Sequence, residues 1–281
     1  MKYTLALGLT CLAAPTALAQ DTRISTTNTI NGTAGTDFGR SVVSLRNFAG
    51  GAPAYAVGAP LNTSGGPLAG QVSVHRGLDG TTVRTDFGEG SPNSCSGPGI
   101  PVGDQLGRAL VEVGDFDNDG FDDLLATTPS GRSPAPGCIQ GGFGGFKILL
   151  SGGGELNFRS TTQIGLGQAA GRLADDPSGL PQFALTDNFG TVHVFRRAAP
   201  GLISTPIQVA TIGGFGQTRD AVVGVGLIGG VPAFAVSGNR QVFNRESGKK
   251  GVPAGGPITL IVAPLISRMK TCRLPDTANA G

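Results

Sequence analysis

The sequence predicts an all-β fold built from a repeated unit of short antiparallel strands. Glycine accounts for 48 of the 281 residues and proline for 19. These residues separate short runs of Val, Ala, Leu and Phe, a pattern typical of many strands joined by turns. No window shows the apolar period of an amphipathic helix. The apolar runs recur along the whole chain, which argues against disorder.

Four segments share one pattern of three or four short strands. They lie near residues 36–80, 104–152, 168–197 and 218–245, and the equivalent positions are Tyr55, Asp123, Phe183 and Phe234. The third segment is aligned on Ala170-Gly171-Arg172, and the fourth takes its third strand from Gln241 to Phe243. A repeat of this length, with three or four short strands in each unit, is typical of β-propeller blades. We therefore expect one propeller domain over residues 20–281, with four blades, or five if the termini complete another. The segment 252–281 is expected to close the domain.

The segment from residue 115 to 123 has the pattern of a calcium-binding loop. It reads DFDNDGFDD, with carboxylates at alternating positions and a glycine at the sixth. Calcium takes six to eight oxygen ligands, and such a loop can supply them. The predicted Ca2+ ligands are the side chains of Asp115, Asp117, Asp119 and Asp123 and the backbone carbonyl of Phe121. Asp122 is expected to face outward, because side chains alternate along a strand. An EF-hand is excluded, since it needs a glutamate where this chain has Ala126.

Two short motifs flank such a loop in the family that this chain resembles. Asp37-Phe38-Gly39 and Val57-Gly58-Ala59-Pro60 are similar to the FG and GAP elements of the FG-GAP repeat, found in the propeller of integrin alpha chains. The resemblance implies a calcium loop between the two elements, which is where the acidic segment lies in the second repeat. It also implies a secreted or surface protein with a role in adhesion. Integrin-type propellers have seven blades, and this chain has room for fewer. Repeats three and four lack GAP and alternating carboxylates, so we expect one calcium ion.

The N-terminus and the cysteines indicate an exported protein. Residues 1–19 have the positive start, short apolar stretch and final Ala-Leu-Ala of a signal peptide. We therefore expect a secreted, periplasmic or extracellular protein. The loops Gly88 to Gly103 and Pro129 to Gly142 belong on the blade face opposite the acidic loop. They contain Cys95 and Cys138, for which we predict a disulfide, with two free thiols as the alternative. Cys272 is most simply unpaired.

The remaining features favour binding over catalysis. The net charge is +2, and no basic patch with interleaved aromatic residues is present, so we expect no nucleic-acid partner. No nucleophile elbow, zinc-protease motif or phosphate loop occurs. The two histidines, His75 and His193, fall in third strands, where packing explains them. We expect an adhesion module that binds a protein or glycan through the face opposite the calcium loop. A secreted phospholipase-like hydrolase and a non-catalytic envelope scaffold are the alternatives, and the oligomeric state stays open.

Overall fold

A computed structural model describes residues 29–77, 79–91, 102–131, 142–198, 207–212, 217–228, 231–239, 258–262 and 270–272. Its strands form four four-stranded antiparallel sheets and one two-stranded ribbon. This confirms the prediction of an all-β fold. Within the described residues the helical structure is the single turn α1, Phe48–Gly51. No described helix has the length and apolar character needed to cross a membrane.

The four sheets follow one another along the chain, and in each sheet the strand order equals the chain order. Sheet 1 contains β1 (Ser41–Asn47), β2 (Ala52–Ala59), β3 (Gln71–Arg76) and β4 (Thr82–Phe87). Sheet 2 contains β7 (Leu110–Gly114), β8 (Asp123–Thr127), β9 (Gly145–Leu149) and β10 (Glu155–Arg159). The ribbon β5 (Gly90–Ser91) and β6 (Val102–Gly103) lies between them in the chain.

The second half of the chain repeats the same meander. Sheet 3 contains β11 (Ala170–Arg172), β12 (Gln182–Thr186), β13 (Val192–Arg196) and β14 (Ile207–Ile212). Sheet 4 contains β15 (Gln217–Ile228), β16 (Val231–Asn239), β17 (Ile258–Val262) and β18 (Lys270–Cys272). The third position in sheet 4 therefore belongs to β17 and not to the predicted segment Gln241 to Phe243, which lies outside the described residues.

Each pair of successive sheets encloses its own hydrophobic core. Side chains alternate between the two faces of a strand, and β8 shows the result because all five of its residues are buried. Leu124 and Ala126 pack in the core between sheets 1 and 2, whereas Leu125 packs in the core between sheets 2 and 3. A third core joins sheets 3 and 4 through residues such as Val194 and Phe234. Burial on both faces explains why second strands read as continuous apolar runs.

The first strands of the sheets lie next to one another. β1 contacts β7, β7 contacts β11, and β11 contacts β15. Close approach needs small residues: a Cβ on Gly171 in β11 would lie 2.3 Å from the carbonyl oxygen of Val222 in β15. Four meander sheets whose first strands gather around a common line have the arrangement of β-propeller blades.

Sheet 4 and sheet 1 do not share a core among the described residues. Alternate side chains of β15 are exposed, with Val223 at 56% and Leu227 at 58% relative exposure. Val42 in β1 is 62% exposed. In the other pairs of neighbouring sheets, namely 1 and 2, 2 and 3, and 3 and 4, first-strand residues are buried in the core that the two sheets share. The predicted number of blades and the closure of a ring therefore stay predictions.

The third repeat is aligned differently from the sequence prediction. Backbone N–H groups of Gly39, Gly107 and Gly167 each donate to the second strand of their own sheet, at Gly58, Thr127 and Thr186. The three glycines also share a left-handed φ, of 86°, 89° and 102°, which favours glycine. The glycine equivalent to the FG element is thus Gly167. Gly171, which the sequence alignment predicts for this position, matches Gly39 only in being followed by an arginine. Its lack of a side chain allows the close approach of β11 to β15.

Candidate functional site

The acidic loop connects β7 to β8, the first and second strands of sheet 2. Phe116 anchors its start, since this ring is fully buried and is tilted by 56° against the ring of Phe183 in sheet 3. Asn118 and Gly120 adopt left-handed φ values of 72° and 90°. Asparagine and glycine tolerate this conformation. The loop therefore curls tightly, with its side-chain oxygens directed inward.

Three of the predicted ligands come together in this loop. Carboxylate oxygens of Asp115, Asp117 and Asp123 all lie within 4.8 Å of one another. Two oxygens bound to one calcium ion at about 2.3–2.6 Å can be at most about 5 Å apart. The three carboxylates therefore have a spacing that one calcium ion can bridge.

The same carboxylates also organise the backbone of the loop. Oδ1 and Oδ2 of Asp115 accept hydrogen bonds from the N–H groups of Asp119 and Gly120, at 3.0 and 2.9 Å. Oδ2 of Asp123 accepts from Phe116 and Asp117 at 2.7 and 3.2 Å. A carboxylate oxygen has more than one lone pair, so these bonds leave acceptor capacity for a cation. The loop is shaped by its own peptide groups before any ligand binds.

The other two predicted ligands make different contacts. Oδ2 of Asp119 accepts a hydrogen bond from the hydroxyl of Ser151 at 2.9 Å, and the carboxylate lies outside the cluster of three. The N–H of Phe121 donates to Oδ1 of Asp119 at 2.8 Å. Its ring faces sheet 1, where a Cβ placed on Gly51 would lie 3.3 Å from Cε1 of Phe121. The roles of these two residues as ligands stay predictions.

Burial and mutual repulsion disfavour ionisation within the cluster. Asp123 is fully buried, and burial, with smaller contributions from the charges of Asp117 and Asp119, raises its pKa to about 7. Burial and the charge of Asp119 also raise the pKa of Asp117. Among the described residues, none of the ion pairs involves Asp115, Asp117, Asp119 or Asp123. A bound cation would supply the compensating charge.

The prediction that Asp122 faces outward is wrong. Asp122 is buried, and its Oδ2 accepts a hydrogen bond from the N–H of Arg46 in sheet 1 at 3.2 Å. Its own N–H donates to Oδ1 of Asn47 at 2.9 Å, and Nδ2 of Asn47 donates to the carbonyl oxygen of Gly120 at 3.2 Å. Strand alternation itself holds, since Asp122 shares the face of Leu124 and Ala126. That face is covered by sheet 1 and not by solvent, which is why Asp122 is buried. The acidic loop is therefore attached to sheet 1.

Both histidines serve packing. His75 and His193 lie in third strands, β3 and β13, and both are buried. Nε2 of His75 is 2.9 Å from the hydroxyl of Ser73, a contact that the sequence did not reveal. His75 and Ser73 are each only 4% exposed, so a substrate does not reach this His–Ser pair. Burial also lowers the pKa of His75.

The loops at the opposite end of the sheets are organised by side-chain and main-chain hydrogen bonds. The β2–β3 loop of sheet 1 is built around Asn62, whose Nδ2 donates to Oε1 of Gln71 at 2.7 Å. The β5–β6 ribbon is attached to this loop, since the N–H of Gly90 donates to the carbonyl oxygen of Gly65. In the β8–β9 loop, the N–H of Gly131 donates to Thr128. Cys95 and Cys138 lie outside the described residues, so the disulfide stays a prediction.

A comparison with known protein families agrees with the repeat assignment. Residues 109–144 match the FG-GAP repeat. A search of curated protein sequences finds no significant match. Among solved structures, the six-bladed β-propeller lectin of the fungus Aleuria aurantia, described with a fucose recognition mode, is similar with a TM-score of 0.43 and 13% identity, over 85% of this chain and 62% of the lectin. A mutant of this lectin in complex with Fucα1-6GlcNAc gives a TM-score of 0.44 and 13% identity, over 84% and 62%.

The chain thus spans 62% of the length of each lectin chain. Similarity at this level bears on neither the fold nor the ligand of the present protein. The family match covers β7, the acidic loop and β8, and it ends shortly before β9. The prediction of an FG-GAP repeat is confirmed for residues 109–144, and this matched segment carries the acidic loop.

Proposed function

We propose that this protein is an exported, calcium-stabilised β-propeller that acts as a binding or adhesion module. The observation that carries the proposal is the cluster of Asp115, Asp117 and Asp123, three carboxylates within 4.8 Å that have no ion-pair partner among the described residues. A calcium ion on these residues compensates their repulsion and stiffens the loop. Calcium then supports the fold, and the ligand binds elsewhere.

The binding surface in this proposal is the face opposite the acidic loop. We assign loops 60–70, 88–103 and 129–142 to this face, because the second and fourth strands that lead into them end remote from residues 115–123. Long loops on a rigid scaffold commonly carry binding functions. A disulfide between Cys95 and Cys138 would fix the two longer loops to one another. Closure of four blades, with or without a fifth, belongs to the same proposal.

A binding screen tests this function directly. The mature chain, residues 20–281, is applied to arrays of immobilised glycans and extracellular matrix proteins in millimolar calcium and again with a chelator. We expect at least one ligand that is retained in calcium and lost with the chelator. Absence of any such ligand contradicts the adhesion function. Turnover in a parallel panel of ester and phosphodiester substrates would favour the hydrolase alternative, and a chain that neither binds nor turns over favours the envelope scaffold.

A further inference from the structure

The acidic loop is contacted by a second turn of sheet 2, the β9–β10 turn of residues 150–154. The N–H of Ser151 donates to Oδ1 of Asp123 at 2.8 Å, and its hydroxyl donates to Oδ2 of Asp119 at 2.9 Å. A Cβ placed on Gly152 would lie 3.0 Å from the same oxygen of Asp119, so the missing side chain lets this carboxylate approach the turn. The β9–β10 turn therefore holds two of the predicted ligands from outside the acidic loop.

The β9–β10 turn has little rigidity of its own. Residues 152–154 are all glycines, and Gly153 and Gly154 adopt left-handed φ values of 103° and 88°. Glycine loses more conformational freedom on ordering than any other residue. Two main-chain hydrogen bonds close the turn, from Leu150 to Gly154 at 3.2 Å and from Gly153 to Leu150 at 3.0 Å. Contacts from outside the turn therefore matter for its conformation.

Arg84, in β4 of sheet 1, makes such contacts at both ends of the turn. Its Nη1 donates to the carbonyl oxygen of Leu150 at 2.6 Å, and its Nη2 donates to that of Gly154 at 2.9 Å. Asp86 orients the guanidinium, since its carboxylate accepts from Nε and Nη2 at 2.6 and 3.0 Å. The guanidinium is planar, and its donors have a fixed geometry. It therefore keeps the first and last residues of the turn at a defined separation.

The contacts form a continuous path from sheet 1 to the carboxylates of the acidic loop. Arg84 binds the two ends of the turn, and Ser151 lies between these ends and binds Asp119 and Asp123. A site whose ligands are already in place loses less conformational freedom when it binds. Residues that order the turn can therefore raise the affinity for a cation without contacting it.

We propose that Ser151 and Arg84 are positioning residues of the calcium site. Ser151 orients the carboxylates of Asp119 and Asp123, and Arg84 fixes the turn that carries Ser151. The inference rests on the calcium ion of the proposed function. It extends the site from one loop to a second turn of sheet 2 and a strand of sheet 1, so that calcium affinity depends on how these two sheets meet.

Ser151→Ala tests the contact with Asp119, because it removes the hydroxyl and keeps the N–H that binds Asp123. Calorimetric titration of the mature chain with calcium measures the dissociation constant. The variant should bind calcium about fivefold more weakly, as the loss of one hydrogen bond implies. Ser151→Thr keeps a hydroxyl and should restore the affinity to within about twofold of the wild type. Tighter binding by Ser151→Ala would show that Ser151 competes with calcium for Asp119, and would overturn the inference.

Arg84→Lys tests the support of the turn, because lysine keeps the charge beside Asp86 but cannot bind both carbonyl oxygens in the same fork. It should also weaken calcium binding about fivefold. In the double variant with Ser151→Ala the loss should be smaller than the product of the two single losses, because both residues act through one turn. A loss equal to that product would overturn the inference. Glu155→Gln is the matched control, since Glu155 pairs with Lys147 in the same hairpin, and it should bind calcium like the wild type.

Urea denaturation with a chelator separates positioning of the ligands from packing of the sheets. If Arg84→Lys lowers stability with the chelator but binds calcium like the wild type, Arg84 only joins the two sheets and the inference is overturned. Unchanged calcium affinity in both Ser151→Ala and Arg84→Lys would overturn the inference alone, and the proposed calcium site would stand. A wild-type chain that binds no calcium would overturn the proposed calcium site and this inference with it.

Discussion

Two loops at the same position in neighbouring sheets differ in whether the charge of their carboxylates is balanced. In sheet 2, the β7–β8 loop gathers Asp115, Asp117 and Asp123 without an arginine or lysine partner among the described residues. In sheet 3, the β11–β12 loop pairs Asp175 with Arg172 at 3.5 Å and Asp176 with Arg196 at 3.4 Å. Each loop joins the first strand of its sheet to the second.

The difference shows two ways of completing one turn. Oδ1 of Asp176 accepts hydrogen bonds from Ser178 and Leu180 at 2.8 and 2.9 Å, which closes the sheet 3 loop with a single carboxylate. Arginines of the same sheet then balance its charge. In the sheet 2 loop, several carboxylates accept the hydrogen bonds of the turn. Among the described residues, no arginine or lysine balances their charge. Sheet 3 thus completes its loop with residues of the chain, whereas the sheet 2 loop is suited to an external cation.

The largest expected effect is the response of stability to calcium. A ligand that binds only the folded state at 100 to 1,000 times its dissociation constant stabilises it by about 3–4 kcal/mol. Asp117→Asn should abolish most of this gain, because it removes a ligand charge. With a chelator, the same variant should be as stable as the wild type or more so, since burial and the Asp119 charge disfavour ionised Asp117. Urea denaturation with calcium and with chelator measures both quantities.

The matched control for this variant is Asp176→Asn in the sheet 3 loop. It keeps Oδ1 as the acceptor for the turn and weakens only the contact with Arg196. A partly exposed ion pair contributes under about 1 kcal/mol, and the calcium gain should stay that of the wild type. If both variants lose the calcium gain equally, or if the wild type shows none, the assignment of the metal to sheet 2 is wrong.

The second prediction concerns the pH dependence of calcium affinity. With the pKa of Asp123 raised to about 7 by burial, the calcium-free loop holds a proton there that calcium must displace. Affinity should therefore fall about tenfold for each pH unit below about 7 and level off above about 8. Between about pH 4 and 7 the folded, calcium-free chain binds this proton and the unfolded chain does not. Its free energy of unfolding should accordingly fall as the pH rises through this window.

Calorimetry at about pH 6, 7 and 8, in buffers with different heats of ionisation, measures the proton release. One proton should be released per calcium at about pH 6 and almost none at about pH 8. An affinity that does not change over this range would show that Asp123 is ionised before calcium binds. The Asp176→Asn variant should follow the wild-type profile, because the sheet 3 loop takes no part in the exchange.

The sequence predicts the acidic loop and its neighbouring strands well, because both depend on local signals. Alternating carboxylates, the glycine at position 120 and the apolar run after Asp123 lie within a short window. The structure places the loop between the first and second strands of its sheet, as expected. Periodicity also indicates the all-β class, since turn residues recur at strand-length intervals.

The sequence does not reveal contacts between sheets. The orientation of Asp122 depends on Asn47, 75 residues earlier, and no period in the sequence links them. The same limit explains the alignment error in the third repeat. The dipeptide Gly171-Arg172 has the same sequence as Gly39-Arg40. The main-chain hydrogen bond to the second strand, however, identifies Gly167 as the structural equivalent of Gly39.

The smallest predicted effect tests the attachment of the acidic loop to sheet 1. Asn47→Ala removes the hydrogen bonds to the N–H of Asp122 and to the carbonyl oxygen of Gly120. Two such bonds contribute about 1–2 kcal/mol to the free energy of unfolding. Calcium affinity should fall only a few-fold, because the ligands stay in place while the loop is less ordered before binding.

Asn157→Ala is the control, since Asn157 is exposed on β10, the fourth strand of sheet 2. It should change neither stability nor calcium affinity measurably. If Asn47→Ala lowers stability equally with and without calcium, the attachment supports the packing of sheet 1 on sheet 2 and not the metal loop. A larger loss in calcium than with chelator would instead show that the two sheets order the loop together. The sheet 3 loop, balanced by its own arginines, should not respond to this substitution.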